Sequence, residues 1–63
     1  MNVAFEMKYI QARKNRRGKY EVFYRGTTNR PQNDATGELF EGEFETPHIA
    51  RATYQAWYMK QHS

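Results

Sequence analysis

The chain has no cysteine, so neither disulfides nor thiolate-held metal can reinforce it. It has no apolar run approaching the roughly 18 residues a membrane span requires, and no signal-peptide pattern opens it. Internal repeats, low-complexity tracts and linkers are missing too. The chain is short as well. At 63 residues it forms one domain, 1–63, and a domain of this size buries only about 60% of the surface its unfolded form exposes. A deep catalytic cleft inside a supported core is therefore not expected. The mean hydropathy of −1.10 is strongly polar, yet 16% of the residues are aromatic, too many for a disordered tail. These absences describe a small cytoplasmic binding domain with no membrane segment and no cofactor.

What is present is charge, unevenly placed. Residues 1–30 carry eight basic side chains against Glu6 and Glu21, and residues 31–63 carry Arg51 and Lys60 against five acidic ones. The first half is thus net +6 and the second −3. Such asymmetry suits an anionic partner for the first half, or pairing of the two halves with each other.

Periodicity predicts an α+β fold, a three-stranded antiparallel sheet packed against one C-terminal helix. The strands are placed near 7–13, 19–25 and 38–45, and the helix near 47–61. Lys14-Asn15-Arg16-Arg17-Gly18 is the first turn, with Gly18 supplying a positive φ. Tyr20, Val22 and Tyr24 alternate with Lys19, Glu21 and Arg25, while Phe23 puts an aromatic on the polar face. In the third strand Phe40, Gly42 and Phe44 share one face, and Leu39, Glu41, Glu43 and Glu45 the other. Thr46-Pro47 forms a helix start with threonine as cap and proline at the first helical position. Ile49, Thr53, Ala56 and Trp57 then make the stripe expected to face the sheet, with Arg51, Gln55 and Tyr58 opposite. The expected core joins Trp57 to Ile10, Ala12, Tyr20, Val22, Tyr24, Phe40 and Phe44. Tyr9 and Phe23, with Tyr54 and Tyr58 on the helix, are the expected exposed aromatics. The alternation Phe5-Met7-Tyr9 favours the opposite phase at the start of the first strand, reconciled by a bulge near Tyr9.

Three stretches carry a family resemblance: Ile10-Gln11-Ala12-Arg13, then Gly18-Lys19-Tyr20-Glu21-Val22-Phe23-Tyr24, then Phe44-Glu45-Thr46 with Ala50 after it. Over residues 8–60 the chain resembles the N-terminal arm-type DNA-binding domain of phage integrases of the tyrosine recombinase class. Plant ethylene-response-type DNA-binding domains share that architecture. The resemblance implies a sheet whose outer face enters the major groove of double-stranded DNA. It places Gln11, Arg13, Lys19, Phe23 and Arg25 on that face, and Lys14, Arg16 and Arg17 in a turn beside the phosphates. Arginine can grip guanine and glutamine adenine bidentately, and turn cations supply sequence-independent contacts. The chain departs from the pattern in its acidic third strand and in its long polar loop at 26–37. It has no room for a recombinase catalytic domain, so the resemblance implies a phage accessory or regulatory protein.

Catalysis is not expected. Glu41, Glu43 and Glu45 alternate on an exposed strand, where no burial shifts a carboxyl group. No glycine-rich loop precedes a helix, and His48 and His62 have no spaced partner for a metal. The reading from a different class is a small protein-interaction factor that modulates a host or phage protein, using the acidic third strand and exposed aromatics. Stacking aromatics beside basic residues would also suit RNA.

Overall fold

The computed structural model describes residues 7–61. Phe5, on which the alternative phase of the first strand rested, lies outside them, as does His62.

β1 (Ile10–Lys14) and β2 (Tyr20–Tyr24) form an antiparallel hairpin whose register runs from Ile10 opposite Tyr24 to Lys14 opposite Tyr20. Asn15 closes the turn between them with both its backbone, whose N–H donates to the Lys19 carbonyl (2.7 Å), and its side chain. Asn15 Oδ1 accepts the backbone N–H groups of Arg17 (2.9 Å) and Lys19 (3.1 Å). Asparagine suits this because its short amide mimics a turn carbonyl. Gly18 follows at φ 79°, as the turn requires. β1 starts at Ile10, later than the sequence predicts.

The predicted third strand is not there, and among the described residues the sheet has two strands. Residues 38–45 divide their hydrogen bonds between two places. The first part folds back on its own loop, with a bridge between Gln32 and Leu39 and a bond from Phe40 N–H to the Pro31 carbonyl (2.7 Å). The second part touches β2 at a single bridge, Tyr20 to Phe44, through reciprocal bonds of 2.7 and 2.9 Å. Between them Gly42 adopts φ 148°, and a Cβ there would meet the Phe44 ring at 3.1 Å. The alternation of Phe40 and Phe44 still turns both rings inward. It reports which face is apolar, not which backbone groups are paired.

Helix α1 (Pro47–Gln61) begins where threonine and proline place it: Thr46 Oγ1 accepts Ile49 N–H at 3.0 Å. It packs across both strands. Its buried face, however, is not the predicted stripe. Ala50, Tyr54 and Tyr58 are buried, whereas Ile49 and Met59 are 45% and 52% exposed. Ala52, Thr53 and Ala56 are also exposed. The helix is turned so that the tyrosine rings face the ribbon. A tyrosine carries most of the buried area of a phenylalanine, so treating it as polar rotates the expected face. Arg51 follows the same rotation. Its guanidinium donates to the carbonyls of Ile10 (2.7 Å) and Met7 (3.4 Å), tying the helix to the start of β1.

The core consists of Ile10, Val22, Phe40, Ala50, Tyr54 and Tyr58, flanked by Met7, Ala12, Tyr20, Tyr24, Phe44 and Trp57. Phe40 sits at its centre. Its ring meets Tyr54 edge-on (5.5 Å between centroids), Trp57 at 5.2 Å and Phe44 stacked at 6.0 Å. Such aromatic pairs add about 0.5–1.5 kcal/mol beyond burial. No helix among the described residues is long and apolar enough to cross a membrane.

Candidate nucleic-acid interface

With the helix on one face of the ribbon, the pleat sends Gln11, Arg13, Lys19, Glu21 and Phe23 to the other. Arg25 follows them at the end of β2. The eight side chains predicted to meet DNA are therefore brought to one hairpin, but they are not equally available.

The middle of the face is closed upon itself. Phe23 lies beneath two guanidinium groups, Arg13 at 4.4 Å and Arg30 at 4.9 Å from the ring centroid. Arg13 also donates to the Thr27 carbonyl, and Arg30 to the Glu21 carboxylate. Gln11 Oε1 makes a long contact, 3.5 Å, with the Gly26 N–H. Residues 26–30 thus lie against the outer face, which sequence reasoning leaves open. Arg13 Nε and Arg30 Nη1 are buried without a hydrogen-bond partner among the described residues, and the aromatic ring beside them carries part of their satisfaction.

Glu21 is the electrostatic centre of this cluster. The hydrogen bond from Arg30 holds its carboxyl below the usual carboxylate range, against the opposing effect of burial. Asn15 Nδ2 donates to it as well (3.2 Å), and the charges of Arg30 and Arg17 add to the same direction.

The turn end is different. Arg17 pairs with Glu43 at 3.0 Å and Lys19 pairs with Glu45. Asn15 also donates to Glu43, which links that pair to Glu21. Lys14 and Arg16 are exposed and, among the described residues, have no ion pair. At the open end Arg25 and Lys8 are exposed and equally unpaired among the described residues. The pairing of the two halves that the charge asymmetry allows is made here by Arg17 and Lys19, not by Arg25. A cleft between the turn and residues 42–43 is lined by Asn15, Arg16, Arg17, Glu21, Gly42 and Glu43.

Arg30 is the contributing residue that sequence reasoning passes over. Its one signal is its place before Pro31, where an extended backbone is favoured. Pro31 is itself fully buried and anchors the end of the segment that carries Arg30. Tyr54 and Tyr58, expected to be exposed aromatics, belong to the core instead. Tyr9 is 49% exposed, and Phe23 is half-buried between its two arginines.

Comparison of the chain with protein-family models, with characterised proteins and with solved structures finds no match, so the resemblance to integrase arm-type domains rests on its short motifs alone.

Proposed function

We propose that the protein is a double-stranded DNA-binding module that meets the duplex with its basic hairpin. One observation carries the reading. Lys14, Arg16 and Arg25 stand exposed and unpaired, among the described residues, on an antiparallel two-stranded ribbon: Arg25 continues the outer face, and Arg16 and Lys14, the latter on the Ile10–Ala12 side of β1, lie at the turn end. A ribbon of two strands is narrow enough for the major groove of B-DNA, so the missing third strand does not count against the proposal. Lys14, Arg16 and Arg17 are the phosphate contacts, with Gln11 and Arg25 reaching the groove. Arg13 and Phe23, placed on the reading face by the family resemblance, instead hold residues 26–30 in place.

A titration with random-sequence duplex from about 50 to 200 mM salt tests this. Three phosphate contacts give a slope of log K against log salt of about −2.7. An absence of affinity at about 50 mM salt, where electrostatics are strong, overturns the proposal. The protein-interaction reading has one observation in its favour: Leu39 is 45% exposed among Asp34, Glu38 and Glu41, acids with no ion pair among the described residues. It loses the helix tyrosines, which are buried.

A further inference from the structure

The acidic segment that follows the loop is not neutralised evenly. Glu38 and Glu41 have no ion pair among the described residues, while Glu43 and Glu45 lie on the cations of the hairpin turn. The Tyr20–Phe44 bridge explains this selection. It sets Glu43 and Glu45 on either side of an inward-facing Phe44, alongside Lys19 and Glu21, which flank Tyr20. Side chains two apart in extended chain point the same way, so both glutamates reach the outer side together. There they meet Arg17 and Lys19, also two apart. The spacing of negative charge on one segment matches the spacing of positive charge on the turn.

Both pairs are built to exchange. The Arg17 side chain is 79% exposed and Glu45 73% exposed, and water competes at each contact. Arg16, unpaired among the described residues, stands in the wall of the cleft that Glu43 also lines. An anion entering this cleft meets one cation free to receive it and a second already holding a carboxylate.

We infer that Glu43 and Glu45 are internal competitors for the anionic ligand of the hairpin, occupying on Arg17 and Lys19 the places that two backbone phosphates take in the complex. The inference rests on the duplex-binding reading above. In the free protein the two carboxylates lower affinity for any polyanion and lower the number of counterions released on binding. Arg17 and Lys19 then exchange one acidic partner for another.

The test compares two variants with the same change of charge. Glu43→Gln/Glu45→Gln frees the turn, and Glu38→Gln/Glu41→Gln removes acids that have no ion pair among the described residues. Each is titrated with random-sequence duplex across the same salt series, after circular dichroism shows native helix content. The first variant is expected to bind about tenfold tighter than the parent at about 50 mM salt, with a slope steeper by about 0.9 for each freed cation. The second is expected to gain less affinity and keep the parent slope. Equal gains and equal slopes in the two variants overturn the inference while leaving duplex binding intact. No affinity in the parent or in either variant overturns both. Should the double variant lose its fold, Glu43→Gln and Glu45→Gln singly are expected to show half the change in slope each, and two unchanged slopes overturn the inference.

Discussion

The two faces of the hairpin are held by different physics. On the inner face Ile10 and Val22 are almost fully buried, and the rings of Phe40 and Tyr54 close over them. Burial there scales with area, and nothing in solvent can replace it. On the outer face Arg13, Arg30, Phe23 and Glu21 hold one another, and Arg17 and Lys19 hold Glu43 and Glu45. The first group closes over residues 26–30, whereas the Arg17 and Lys19 contacts are ionic and lie largely in water, where another anion competes for them. The first face makes the fold, and the exchange proposed for Arg17 and Lys19 on the second does not call for undoing it.

The sharpest way to break that contrast is to cut each face in turn. Tyr54→Ala or Phe40→Ala removes a ring at the centre of the core and is expected to cost about 3–5 kcal/mol. In so small a domain this approaches the whole stability, so both variants should lose their helical circular dichroism at room temperature. Trp57 is half-buried, and Trp57→Ala should cost less than either. A folded Tyr54→Ala protein would show that the helix packs by another face.

On the outer face, Arg30→Ala removes one cation–π contact and the partner of Glu21, and should cost about 1–2 kcal/mol in denaturant titration. A cost equal to that of the core variants would mean that the two faces do not differ in kind.

Acid provides a third comparison. The Glu21 carboxyl is held below its ordinary range in the folded protein, chiefly by Arg30. Its folded value therefore lies below its unfolded one. The stability it contributes is complete above the unfolded value, about pH 4.3, and is lost as pH falls through the folded one. Stability measured from pH 6 down to pH 2 should fall less steeply in Glu21→Gln than in the parent over that acid range. Identical profiles would remove Glu21 from the cluster.

The smallest effect belongs to the exposed pair. A double-mutant cycle on Arg17 and Glu43 should return only about 0.2–1 kcal/mol of coupling, consistent with a contact that exchanges readily.

The contrast also explains what the sequence reveals. The inner face is legible because the period of two in Tyr20, Val22 and Tyr24 reports burial directly. The turn is legible through Asn15 and Gly18, and the helix start through Thr46 and Pro47, since each acts within a few residues of itself. The third strand is misread because pairing depends on where residues 38–41 find their partners, and they find them at Pro31 and Gln32. The helix face is misread because Tyr54 and Tyr58 bury their rings although each carries a hydroxyl. On the outer face the residues expected to meet DNA do gather on the hairpin. Their internal partners, Thr27, Arg30, Glu43 and Glu45, come from distant positions, and no local pattern announces such contacts.

Exchange of partners on the outer face, with the inner face fixed, is visible to side-chain NMR. Arginine Nε–Hε signals and the Trp57 indole signal are followed as random-sequence duplex is added at about 50 mM salt, where binding is strongest. The Arg16, Arg17 and Arg25 signals are expected to shift on binding while the Trp57 and Arg51 signals do not. Unmoved signals from all three outer arginines, or a shift confined to Trp57 and Arg51, would contradict that exchange.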